Sequence, residues 1–287
     1  MPEILSAATA MDAVTLHVED LAGLAAYYRQ ALGLTTLSEG DGVTVLGRGA
    51  TPVLVLRHTP GLPRPARDQA GLFHTAVLFA TQADLAAAVL TAARHPRSHF
   101  VGSADHLVSE AFYFTDPEGN GIELYADRDR SLWPRHNGEI PMPSLALDPN
   151  DYLREHLTEH AVDAMTGARA GVGHVHLQVG DLDGARAFYV DALGFETTFN
   201  YTGALFVSAG GYHHHLAMNI WNSRGAGPRA SSLGLGEVAI TVPDREELDA
   251  VVARLRHHGV DHADDGRTVR TLDPWRNAVA LSVADAA

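Results

Sequence analysis

A stretch that returns within one chain at fixed spacing limits the folds open to it. VEDLAGLAAYYRQALGL at 18–34 comes back as VGDLDGARAFYVDALGF at 179–195. Asp20 to Tyr28 spans eight residues, as does Asp181 to Tyr189; Asp20 to Gly33 spans thirteen, as does Asp181 to Gly194. Each copy reads as the end of a strand, a helix capped by an aspartate, and a glycine that takes the left-handed position after the last turn. Later stretches recur too. Ala83-Asp84-Leu85 answers Glu246-Glu247-Leu248, and Asp116-Pro117 answers Asp273-Pro274. The repeat implies two similar halves, each of two β-α-β-β-β units.

The local pattern fills in those units. Strands are expected at Val14–Val18, Val43–Leu46 and Val53–Leu56, with a helix from Leu21 through Ala31. After a loop rich in Pro, Gly and Arg (Thr59–Gln69) come a strand at Leu72–Phe79, a helix at Ala83–Ala93, and strands near His106–Val108 and around Tyr113–Asp127. The boundaries that follow are 1–130 for the first half, 131–169 for a proline-bearing linker with a helix at Asp151–Met165, and 170–287 for the second half.

Composition narrows function. The net charge of −14 argues against nucleic acid or an anionic membrane surface as partner. No apolar run reaches the ~18 residues that would span a bilayer, and the opening residues do not read as a signal peptide. The absence of cysteine excludes disulfides and thiolate metal sites and fits a reducing cytoplasm, the expected location. Seventeen histidines leave imidazole and carboxylate as the available metal ligands.

YFTDPEGNGIELYAD at 113–127 reads as strand, tight turn, strand. Glu123 sits mid-strand between Ile122 and Leu124, where a carboxylate is costly unless it meets water, a cation or a donor. The DL-helix-FY-x-x-x-LGF motif, the four βαβββ units and the DPEGNGIELY ending resemble the vicinal oxygen chelate superfamily. Within it the chain resembles two-domain extradiol ring-cleaving dioxygenases. The resemblance covers most of the chain outside the linker. It implies an α+β fold of four βαβββ modules forming two vicinal oxygen chelate domains with cup-shaped mixed sheets. It does not select one reaction, because the fold hosts several.

The resemblance also implies where ligands sit: seven residues before the helix-opening Asp, and seven after the DP aspartate. Those offsets give Ala13 and Glu123 in the first half and His174, Glu237 and Ala280 in the second, and His74 is the matching first-strand position of the second unit. Neither half is complete. Across the halves, His74, Glu123 and His174 make the two-imidazole, one-carboxylate set of non-haem Fe(II) enzymes; Mn(II) also fits it. The second and third units are therefore expected to pair around one metal, with the first and fourth forming a metal-free partner. His17 lies four residues past position 13, about 13 Å along a strand, too far for a bond of ~2 Å. It is expected to be a hydrogen-bonded barrel histidine, and His176 either that or a neighbour of the metal ligands.

The run GGYHHHLAMNIW resembles the HHxVAF segment of extradiol enzymes, which puts an acid/base role on His214, with His215 as substitute if strand parity is reversed. His213 and His215 are expected on one side of a strand and His214 on the other. Tyr113, ten residues before Glu123, matches a tyrosine that hydrogen-bonds the substrate oxygen or the ring-opening intermediate. His106 resembles a loop histidine beside the substrate, offset by two residues. Asn219 and Trp221 are candidate pocket residues. The implied reaction is Fe(II)-dependent extradiol cleavage of a small catechol or hydroquinone-type aromatic by O₂. Two other readings compete: a metal-free protein that sequesters an aromatic compound, and a glyoxalase-like isomerase or lyase, which generally wants a second metal carboxylate. Unpaired sheet edges favour a homodimer.

Overall fold

The computed structural model describes residues 4–167 and 169–284. The first unit runs β1 (Ala10–Val18), α1 (Leu21–Leu32), β2 (Thr35–Gly40), β3 (Val43–Arg48) and β4 (Thr51–His58). The second is β5 (Gly71–Phe79), α2 (Gln82–Arg94), β6 (His99–Asp105), β7 (Ser109–Thr115) and β8 (Gly121–Asp127). Two short helices follow, α3 (Pro149–His156) and α4 (Glu159–Asp163). The third unit is β9 (Ala170–Gln178), α5 (Leu182–Arg186) continuing as a π-helical stretch over Ala187–Ala192, β10 (Glu196–Tyr201), β11 (Ala204–Ser208) and β12 (Leu216–Asn219). The fourth is β13 (Gly234–Val242), α6 (Arg245–His257), β14 (His262–Asp264), β15 (Thr268–Leu272) and β16 (Ala278–Val283).

These strands form two mixed sheets of eight, ordered β14-β15-β16-β13-β1-β4-β3-β2 and β10-β11-β12-β9-β5-β8-β7-β6. Each sheet takes one unit from each half, joined by its first strands running antiparallel: β1 with β13, β5 with β9. The second unit thus pairs with the third and the first with the fourth, as the ligand positions require. This is the α+β fold of four βαβββ modules that the family resemblance implies.

The helix signals work as their chemistry predicts. Asp20 accepts from the Gly23 amide at 2.8 Å and Asp181 from Gly184 at 2.6 Å, each satisfying an orphan N–H of the first turn. Thr81 and Asp244 cap the other two long helices. Gly33 closes α1 at φ 64°.

A second device links the sheets. Asp116 accepts from the amides of Glu118 (2.8 Å) and Asn120 (2.9 Å), from Asn120 Nδ2 (2.7 Å) and from the Tyr28 hydroxyl (2.8 Å). Asp273 accepts from Trp275 N (2.9 Å), Asn277 N (2.7 Å), Asn277 Nδ2 (2.9 Å) and Tyr189 (3.0 Å). The tyrosine at the repeat's eighth position therefore reaches from the helix of one sheet to the turn of the other. Burial pushes both carboxyls above their usual range even so.

Three local expectations fail. His106, Leu107 and Val108 form no strand; they turn the chain between β6 and β7, with Leu107 at φ 66°. The expected helix at 151–165 is two helices, parted at Leu157, whose extended backbone (ψ 128°) ends α3. His213–His215 lie in a bend before β12, not on a strand, because the glycine pair Gly210 and Gly211 (φ 63° and 67°) delays strand entry.

Candidate metal centre and active site

The register of the central strands brings the donors together. His74 pairs with His176 and Ala76 with His174 across β5 and β9, while Ala76 also faces Glu123 across β5 and β8. Tyr113 faces Glu123 from β7. The small Ala76 side chain lies between His174 and Glu123, so larger groups converge above it. One ligand atom from each of His74, Glu123 and His174 falls within 4.8 Å of the others, and this is the one such group among the described residues. All three are buried, at 6%, 3% and 1% exposure.

The corresponding positions of the other sheet hold Ala13, Glu237 and Ala280, and Glu237 pairs with Arg270 at 3.3 Å. His17 belongs to that sheet, its Nδ1 3.1 Å from Thr59 Oγ1.

Donor chemistry fits a divalent cation. Glu123 Oε2 stands 2.9 Å from His74 Nε2 and 3.1 Å from His174 Nε2. Yet the contact of His74 Nε2 with Glu123 lacks hydrogen-bond geometry, and His174 Nδ1 has no hydrogen-bond partner, although both are buried. A buried imidazole nitrogen without a partner is costly, and a cation held by all three side chains would engage the first of these. Burial alone would raise the Glu123 carboxyl, but the imidazoles of His174 and His74 outweigh it and hold it well below the usual range. Burial pushes the His174 imidazole down to about 4, against the pull of Glu123. Ionised carboxylate and neutral imidazole are the metal-binding forms.

The three side chains open onto a cavity of about 410 Å³. Val101 from the β6 edge and Tyr201 from the β10 edge both line it, so the sheet curls round its contents. Tyr113 and His106 also line it. His106 Nδ1 donates to Pro143 O at 2.8 Å, and its Nε2 lies 2.7 Å from the Tyr113 hydroxyl, from which it accepts when only Nδ1 carries a proton. Burial, with Glu123 nearby, pushes the Tyr113 phenol well above its usual range.

Of the three adjacent histidines, His214 lines the cavity, its ring centroid 4.0 Å from that of His174. His213 is fully enclosed: Nε2 lies 2.9 Å from Asp127 Oδ1 and Nδ1 lies 2.7 Å from His214 Nδ1. With Asp127 as acceptor, His213 donates from Nε2, and the contact between the two Nδ1 atoms is satisfied when His213 accepts there. His214 then carries its proton on Nδ1, leaving the Nε2 lone pair free. His215 does not line the cavity; its Nδ1 accepts from the Ala209 amide at 3.2 Å. His176 does, and Asn219 Nδ2 donates to its Nε2 at 3.0 Å. Trp221 also lines the cavity, whereas Asn219 acts through His176.

Asp127 and His213 carry no spacing signal, and sequence reasoning gave them no functional role. Nor did it give one to the segment between the halves, whose Met142 and Ser144 line the cavity and whose Pro143 holds His106. The Asp105–Leu145 bridge fastens it there.

A sequence profile described as the Glyoxalase/Bleomycin resistance protein/Dioxygenase superfamily matches residues 10–124 and 171–281. The chain belongs to this superfamily. Within reach of it, the catechol-2,3-dioxygenase of Bacillus subtilis (strain 168) is 39% identical over 258 residues, covering 88% of this chain and 89% of that protein. Among solved structures, glyoxalase I from Zea mays aligns with a TM-score of 0.58 at 17% identity, over 96% of this chain and 92% of that one. The cppA protein from Streptococcus pneumoniae TIGR4 aligns at 0.62 with 13% identity, over 98% and 100%. At such identities the structural likenesses establish the shared superfamily fold and nothing about reaction.

Proposed function

We propose that this chain is a metal-dependent extradiol dioxygenase that opens the ring of a catechol-type aromatic with O₂. His74, Glu123 and His174 would hold Fe(II), the preferred ion, with Mn(II) compatible with the same donors. One observation carries the reading: one unit from each half of the chain contributes to a set of two imidazoles and one carboxylate at a single buried point facing a cavity. The relationship to a protein named catechol-2,3-dioxygenase supports it.

When bound, the ion supplies a Lewis acid that lowers the phenol pKa and a centre that couples substrate to O₂. The chain's residues supply the rest. His214 Nε2 accepts a proton from the entering phenol and returns it as the O–O bond breaks. The Tyr113 hydroxyl, whose proton is given to His106 Nε2 before substrate enters, turns that proton to the substrate oxygen where charge develops. Cleavage falls beside the hydroxyl-bearing carbons and both atoms of O₂ enter the product, so no external reductant is called for. The division into halves at 1–130 and 170–287 is kept as a proposal of internal duplication. No helix among the described residues is long and apolar enough to cross a membrane.

Oxygen uptake by anaerobically prepared, Fe(II)-loaded protein on catechol tests this. The reading expects consumption of one O₂ per ring opened. Turnover of an aromatic without O₂ consumption would support an isomerase or lyase, and binding without turnover a sequestering protein.

A further inference from the structure

The walls of the cavity carry information about the substrate beyond its two hydroxyls. Apart from Glu123, which is committed to the metal position, no side chain of fixed charge lines it among the described residues; in particular there is no Lys or Arg. Its polar groups are the imidazoles of His106, His176 and His214 beside the two metal-position histidines, the Tyr113 and Tyr201 phenols, and the hydroxyls of Ser109, Thr115 and Ser144. The remaining wall is largely apolar, built on Phe73, Ile122, Met142 and Phe206.

That wall continues outward. Trp221, Tyr201 and Val101 line the cavity yet are 47%, 48% and 61% exposed, so they form its rim. Large apolar side chains left this open on a cavity mouth mark a contact surface. Phe73, His176 and Trp221 are mutually edge-on, with centroids 5.0 to 5.5 Å apart, giving a stiff aromatic side to the passage. A cavity of about 410 Å³ exceeds what one dihydroxybenzene ring fills and falls in the range that holds larger ligands.

We infer that the substrate is a dihydroxy-aromatic bearing an uncharged apolar substituent, which runs from the buried metal end to the Trp221–Tyr201–Val101 rim. A carboxylate on that substituent would leave water for an apolar wall with no cation to receive it. The inference rests on the dioxygenase reading above. It adds discrimination by charge at a position remote from the reacting carbons.

The test compares 4-propylcatechol with 3-(3,4-dihydroxyphenyl)propionate, which match in length and ring electronics but differ by a terminal methyl against a carboxylate. Unsubstituted catechol serves as reference, and kcat/KM is measured by O₂ uptake. The expected result is 4-propylcatechol about tenfold or more above catechol, and the propionate about a hundredfold or more below 4-propylcatechol. Trp221→Ala should erode the preference for the propyl chain, and Val101→Arg should raise the propionate relative to 4-propylcatechol. Equal kcat/KM for the propyl compound and the propionate would overturn the inference while leaving the dioxygenase reading intact. Absence of O₂ uptake with all three, catechol included, would instead remove the reading on which it stands.

Discussion

Single residues divide here into those whose position follows from spacing and those placed by packing. Glu123 and His174 sit at constant offsets from a DP turn and a helix-opening Asp, so counting found them, and His74 is the matching position on the first strand of its unit. The structure explains why: Thr81, although not an aspartate, caps α2 seven residues after His74. Asp127 and His213 could not be found that way, because their link to His214 depends on a bend that no periodicity marks. If Asp127 fixes the His214 tautomer, Asp127→Ala should lower kcat about tenfold or more with metal content unchanged. Asp127→Asn, whose amide can present N–H to His213 and so impose the other tautomer, should lose at least as much. Equal, wild-type turnover in both variants would remove the role. Tyr113→Phe should retain metal and lose ten- to a thousandfold in cleavage rate, a loss of about 1.4–4 kcal/mol in the transition state. Unchanged turnover would dismiss Tyr113 from the mechanism.

Elements carry the second lesson. Helix caps and the DP turns were legible because short polar side chains at fixed offsets satisfy identifiable backbone groups. The strands near 106–108 and 213–215 were misread because positive-φ residues, Leu107, Gly210 and Gly211, bend the chain where side-chain type alone suggests extension. Close approach also constrains β9: a Cβ on Gly173 would collide with the Tyr125 hydroxyl, and Tyr125 is the ring that backs His174 at 4.8 Å. The paired tyrosine clamps make a direct prediction. Tyr28→Phe and Tyr189→Phe each remove one donor from a buried carboxyl, at a cost of about 1–3 kcal/mol. Urea denaturation should register both losses. A loss in neither would mean that the clamps are incidental to stability.

The molecule as a whole joins its sequence halves by exchanging units, and the partial ligand sets foretold that exchange. What no pattern foretold is the wall of the cavity, since it draws on edge strands and the connecting segment at once. Concentrating histidines in this interior has a thermodynamic consequence. Burial first of all holds His174 and His215 down to about 4, and His176 and His214 well below the ordinary value. The unfolded chain takes up protons at these groups near pH 6.5 while the folded one does not. Their contribution to stability is therefore present above that pH and is lost as pH falls from about 6.5 toward 4. The slope is up to about 1.4 kcal/mol per pH unit for each histidine. Denaturation of metal-free protein across that window should show a steep decline; a flat profile would mean that these rings are protonated in the folded state.

The central claim is that units two and three jointly hold one ion. Metal analysis of anaerobically prepared protein tests it most directly, with wild type beside His174→Ala and a circular dichroism check that the variant is folded. The account predicts about one iron or manganese per wild-type chain and a near-complete loss in the folded variant. A wild-type protein that binds neither metal, or a variant that keeps its full complement, would contradict it.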